Sequence, residues 1–131
     1  MRYFSISELC KSETADSHNI DNVPNEDTIK NLNTLVEKVL DPARETLGSP
    51  ITVTSGYRSP ELNSAVRGSK TSQHMKGQAA DLVCSDNARL FNIIKDDLEF
   101  DQLIWENNGA WVHVSYNAAG NRKQVLNLKQ S

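Results

Sequence analysis

Cysteine is scarce in this chain of 131 residues: Cys10 and Cys84 stand far apart and outside any C-x-x-C spacing. That excludes a disulfide-stapled scaffold and the cysteine-rich ligand sets of structural zinc sites. Two reduced, partly buried thiols are expected. Long apolar runs are missing too, which excludes a membrane-spanning helix, and Met1-Arg2-Tyr3-Phe4-Ser5-Ile6-Ser7-Glu8 opens no signal-peptide core. The expectation is a protein made in the cytoplasm without membrane insertion. Excess positive charge is also lacking, since 14 Lys and Arg face 17 Asp and Glu for a net charge of −3. With Asn121-Arg122-Lys123-Gln124 as the densest basic stretch, there is no field to attract nucleic acid, and no nucleic-acid partner is expected. Repeats and low-complexity segments are absent.

What is present suits one soluble domain over residues 1–131, expected to act as a monomer. A chain of this length buries roughly two-thirds of its unfolded surface, enough for a core without staples. Ser5-x-x-Glu8 is a capping box before a short helix over residues 6–12. Residues 13–25 are polar and read as a surface loop. From Glu26 an apolar stripe of Ile29, Leu32, Leu35, Val36, Val39, Leu40, Ala43 and Leu47 recurs at helical steps. Asn25 suits its N-cap and Gly48 its stop, while Pro42 should kink the helix or begin a new segment capped by Asp41. The run 51–54 reads as a strand, and Ser59-Pro60-Glu61 opens a short helix.

Residues 67–77 suggest an irregular loop. A strand from Gln78 to Cys84 is followed by a helix capped at Ser85, with Leu90, Ile93 and Ile94 facing inward. The strands Gln102–Glu106 and Trp111–Tyr116 flank Asn107-Asn108-Gly109, a strong hairpin signal. Gln124–Leu128 is a candidate edge strand. The fold class is α+β: N-terminal helices packed on a small, largely antiparallel sheet.

Histidine occurs three times, as His18, His74 and His113. A catalytic zinc site takes three protein ligands from His, Asp, Glu or Cys and leaves one position for water. His74 in a loop and Asp81 on the following strand meet at one ion if the chain reverses between them, and Gly77 permits that. Alternation along residues 111–116 puts Trp111, His113 and Ser115 on one face of a neighbouring strand. Asp81 interrupts the apolar run Ala79-Ala80-Asp81-Leu82-Val83, a costly place for a carboxylate unless it is paired or binds metal. On these residues alone, Asp81 could instead pair with Arg58 or Arg67, His74 could be an exposed loop residue, and His113 a hydrogen-bonded core histidine.

Taken in order, Ser55-Gly56-Tyr57-Arg58-Ser59-Pro60, Ser72-x-His74-x-x-Gly77-x-Ala79-x-Asp81 and Trp111-Val112-His113-Val114-Ser115 resemble the M15 peptidases. That family contains zinc D-alanyl-D-alanine carboxypeptidases and peptidoglycan endopeptidases, some encoded by phages. The resemblance runs from Ser7-Glu8-Leu9 to His113. It implies the M15 (hedgehog-like) peptidase fold carrying a Zn²⁺ ion on His74, Asp81 and His113, with a peptidoglycan stem peptide as substrate. By the same resemblance Arg58 would bind the substrate or polarise its carbonyl. Ser72, Gln73, Tyr57 and Trp111 are candidate cleft residues, and Trp105 is another possible wall.

The chain departs from many members at Ala110, which stands three residues before His113 where they carry an acidic general base. Glu106 is the nearest replacement across the hairpin, with Asp101 second. Ala110 also keeps open a non-catalytic, zinc-containing cell-wall-binding or phage structural module. A wall enzyme lacking a signal peptide would fit phage or prophage lysis, or export by another route.

Overall fold

The computed structural model describes residues 1–128. Five N-terminal helical segments among the described residues lead into a five-stranded sheet. Ser5 caps α1 (Ile6–Leu9) by accepting from Glu8 N at 3.1 Å, and Leu9 is fully buried. The expected 13–25 loop instead begins with a second helix, α2 (Glu13–Ser17), capped by Ser12, whose Oγ accepts from Ala15 N. It is a short, polar element pinned by the single buried residue Ala15, so it shows almost no apolar period.

The long apolar stripe forms α3 (Glu26–Leu35), a π-helical stretch (Val36–Leu40) and α4 (Asp41–Leu47), with helical backbone throughout. Asn25 caps the start, and Gly48 ends it in the left-handed conformation at φ 74°. Pro42 neither breaks the helix nor recruits Asp41 as its cap. The wider π turn absorbs the missing N–H and the ring, as such bulges do. Asp41 then holds the N-terminus, its carboxylate accepting from Arg2 N and Tyr3 N.

Sheet order is β1-β2-β4-β3-β5, from β1 (Thr52–Ser55), β2 (Ala79–Val83), β3 (Gln102–Glu106), β4 (Trp111–Ser115) and β5 (Gln124–Asn127). Every pairing is antiparallel except β3 with β5, and β5 is indeed an edge strand. The connections are α5 (Pro60–Ala65), capped by Ser59, and α6 (Asn87–Asp97). Asp86, not Ser85, caps α6: its Oδ1 accepts from Arg89 N at 3.0 Å, and a carboxylate there also complements the helix dipole.

Strand alternation separates the two faces of the sheet. One carries Leu82, Val112, Val114 and Leu103, all fully buried against Leu32, Leu35, Val36, Val39 and Ile94 of the helices. Truncating one such leucine to alanine costs about 2–5 kcal/mol. Trp105 belongs to this side and meets Phe91 edge-on at 5.4 Å, so it is not a cleft wall. The opposite face carries Asp81 and His113. No helix among the described residues is long and apolar enough to cross a membrane. Both cysteines are free and half-buried, as expected.

Candidate metal centre

Register brings the candidate ligands together. Asp81 on β2 lies directly opposite His113 on β4, which in turn lies opposite Ile104 on β3. Directly opposed residues project from the same face, so Asp81 and His113 are neighbours on the side away from the helical core. His74 arrives from outside the sheet. The loop expected over residues 67–77 is irregular except for one 3₁₀ turn, Gln73–Lys76, started by Ser72 and stopped by Gly77 at φ 71°. Ser72 Oγ accepts from His74 N, so Ser72 shapes the turn that carries the ligand.

The three side chains each offer a ligand atom, all within 4.8 Å of one another. His74 is nearly sealed and His113 and Asp81 are 13% exposed, which leaves one open side. Their fit to a metal can be tested on the hydrogen bonds. His74 Nδ1 lies 2.7 Å from Gly56 O, a carbonyl that can only accept, so Nδ1 carries the proton. That leaves the lone pair of Nε2 facing the site, the arrangement that outer partners impose on metal-binding histidines. Nε2 lies 3.5 Å from Asp81 Oδ2, close to the roughly 3.4 Å edge of a tetrahedron with ligand bonds of about 2.0–2.1 Å. His113 Nδ1 is 2.9 Å from Asp81 Oδ1, and the imidazoles meet at 61° with centroids 5.2 Å apart. The set of two imidazoles and a carboxylate suits zinc.

Burial pushes the Asp81 carboxyl upward, but the hydrogen bonds and charges that His113 and His74 supply when protonated outweigh it, holding the group well below the usual carboxylate range. Asp81 therefore stays ionised, as a ligand must. Arg58 approaches the same carboxylate, with its NH2 3.6 Å from Asp81 Oδ2. Its Nε donates to Ser55 Oγ and its NH1 to Asn63 Oδ1, fixing the guanidinium plane. The pairing of Asp81 with Arg58 weighed from the sequence thus exists alongside the histidine cluster. Arg58 N also donates to His74 O, so segments 56–58 and 74 brace one another from both sides.

Glu106 pairs in register with Trp111, two residues along from the Ile104–His113 pair, so both lie on the ligand face. Desolvation raises the Glu106 carboxyl, while the His113, Asp81 and His74 charges act on it as near neighbours. Trp111 is half-buried on that face. Tyr57 is 8% exposed and packs in the hydrophobic core, so the structure does not bring its ring to the cleft. Gln73 does reach it, with Nε2 donating to Asp101 Oδ2 at 2.9 Å.

Two residues that the sequence leaves in other roles turn out to position the site. Asn22, in the supposed surface loop, donates to Cys10 O and Tyr57 O and accepts from Ser59 N, clamping the backbone on either side of Arg58. Asp101 is 1% exposed and receives Arg122 N, Nε and NH2 as well as Gln73 Nε2. The Arg122 hydrogen bonds dominate over burial and lower its carboxyl to about 2, so it is a locked anchor and not a proton acceptor. Only pairings distant in sequence reveal these roles, up to 37 residues for Asn22 and 21 for Asp101 with Arg122.

A family model described as Peptidase M15 matches residues 2–115, spanning every ligand, Arg58 and Glu106. No curated protein matches the sequence. A match over most of the chain, with three side chains that could hold a metal gathered on one open face, establishes that this chain belongs to the M15 peptidase family.

Proposed function

We propose that the protein is a zinc-dependent peptidase that hydrolyses peptide bonds of bacterial peptidoglycan, of the D-Ala-D-Ala carboxypeptidase or endopeptidase type. The observation that carries this reading is the convergence of His74, Asp81 and His113 with the His74 tautomer set by Gly56 O, in a chain of a peptidase family. These three residues would hold the ion, which when bound supplies Lewis acidity toward a carbonyl and acidifies water.

The remaining chemistry belongs to the chain. Arg58, held rigidly by Ser55 and Asn63, brings a permanent positive charge beside the site and stabilises negative charge on the scissile carbonyl oxygen. Glu106, half-buried and without a side-chain hydrogen bond among the described residues, is free to take the proton from the attacking water. As the C–N bond breaks, that proton passes to the departing amine. In this reading Glu106 supplies the acid that Ala110 does not. Trp111 walls the open side.

The test is mass spectrometry of soluble products from purified peptidoglycan, with wild-type protein and Glu106→Gln. New peptide fragments or free D-alanine from the wild type, strongly reduced with the variant, support the reading, and their masses identify the bond. Absence of products from several wall types, with one metal bound per chain, would favour the non-catalytic wall-binding module.

A further inference from the structure

Arg58 reaches the ligand cluster on a long side chain, and its charge stabilises a developing oxyanion only where the guanidinium is held in place. One hold is close in sequence: Ser55 Oγ, at the end of β1, accepts from Nε at 3.1 Å. The other comes from α5, where Asn63 Oδ1 accepts from NH1 at 3.1 Å. Asn63 is 4% exposed, so its amide depends on protein partners. Its Nδ2 donates to Ser69 O at 2.9 Å, and its own carbonyl accepts from Gly68 N at 2.8 Å. Ser69 O also accepts from Ser72 N, and Ser72 starts the 3₁₀ turn that carries His74. One buried amide thus joins Arg58 to the loop that leads into the ligand turn.

The chain closes tightly on this joint. After α5 it reverses at Arg67, whose φ is 58°, and lays Gly68 against Asn63. A Cβ at Gly68 would run into Asn63 Oδ1 and stand 2.7 Å from Arg58 NH1. Gly68 is not among the glycines with positive φ, so what this position excludes is bulk beside the pair. An amide oxygen also suits the task, because it holds a guanidinium without cancelling its charge as a carboxylate would.

We propose that Asn63, seated by Gly68, is a positioning residue that sets the Arg58 guanidinium against the scissile carbonyl. Its effect on rate rests on the peptidase reading, whereas its hold on Arg58 does not.

The experiment compares kcat and KM on a synthetic stem peptide for zinc-loaded wild type, Asn63→Ala, Gly68→Ala and Arg58→Lys, and for each of the first two variants combined with Arg58→Lys. Zinc content and thermal unfolding are recorded for all of them, and Gly68→Ala, which removes no hydrogen-bonding group, carries the comparison if Asn63→Ala does not fold. Both single variants should keep one zinc per chain and lose about 10–100-fold in kcat, with KM changed by less than about 3-fold. Lysine at position 58 keeps a charge but lacks the fork, so in that background each should cost about 2-fold or less. An asparagine that only supported the fold would cost the same factor in both backgrounds. A second readout needs no turnover: in NMR of the arginine side-chain N–H groups, rotation about the Cζ–NH1 bond of Arg58 should be slow in wild type and faster in both single variants. Loss of those signals in Arg58→Lys assigns them.

Equal factors in the two backgrounds, or Arg58 signals that neither variant alters, would overturn the positioning role. Released Arg58 signals in a protein that cleaves no stem peptide would keep the hold on the guanidinium and overturn the peptidase reading. Cleavage at the wild-type rate by both single variants would do the reverse.

Discussion

Gly77 joins the 3₁₀ turn carrying His74 to the strand carrying Asp81, and two separate penalties guard that position. Its φ is +71°, where an L-residue costs about 1–2 kcal/mol. A Cβ there would also stand 2.7 Å from Thr28 O, 2.8 Å from Thr28 Cγ2 and 3.1 Å from Leu32 Cγ, all on α3. Backbone of a packed helix does not yield cheaply, and overpacking of this kind costs about 1–3 kcal/mol more. Gly77→Ala should therefore lose about 2–5 kcal/mol. Gly48 offers the matched control: its φ is +74°, and a Cβ there meets nothing within 4 Å. Gly48→Ala should lose only the backbone part, about 1–2 kcal/mol. For a chain of this size each kcal/mol lowers Tm by about 3–6 °C, so the two variants should melt about 3–18 °C apart. Thermal unfolding followed by circular dichroism in chelator, which removes any contribution from bound metal, reads the difference directly. Equal melting temperatures would refute the claim that the 3₁₀ turn is pressed against α3.

Three further outcomes follow from the same geometry. His74→Ala and Asp81→Asn should abolish the rise in Tm that zinc gives the wild-type protein, about 2.7 kcal/mol of added stability at 100-fold excess over Kd. A differential scan with and without zinc checks this. Glu106→Gln should keep one zinc per chain by elemental analysis and lose about 10²–10⁴ in kcat, the usual contribution of a positioned general base. Asp101 is held at about 2 in the folded state, below its ordinary 3.8, so its stabilisation is complete above the ordinary value and disappears as pH falls through the folded one. Asp101→Asn should therefore unfold at lower urea than wild type near neutrality, with the gap narrowing steadily below about pH 4. A gap independent of pH would contradict the assignment.

The residues legible in the sequence were those whose signal is local. Alternation along Trp111–Ser115 and the Asn-Gly turn placed β3 and β4, and the apolar interruption at Asp81 pointed to the carboxylate on the ligand face. The apolar stripe gave the long helical run but not its π turn, because Pro42 has two remedies of similar cost and the sequence does not choose between them. Helix α2 hid in polar composition, held by one buried alanine. At α6 two adjacent cap-competent residues, Ser85 and Asp86, left the boundary ambiguous by one residue.

Tyr57 looked like a cleft residue because it precedes the candidate site residue Arg58, yet the backbone turns its ring into the core. The Asn22 clamp and the Gln73–Asp101–Arg122 chain were invisible for a different reason. They join segments 12 to 37 residues apart in sequence, and no local pattern encodes such a hydrogen bond. Arg122 lines the polar cleft beside His113 but lies outside residues 2–115 that the family model covers.

The central claim is that one metal ion on His74, Asp81 and His113 drives hydrolysis. Its most direct test is a titration of chelator-stripped protein with zinc while peptide release from purified peptidoglycan is followed. The account predicts no release from the stripped protein, a linear return of activity that saturates at one zinc per chain, and no return in His113→Ala. Undiminished release from stripped protein, or full recovery in His113→Ala, would contradict it.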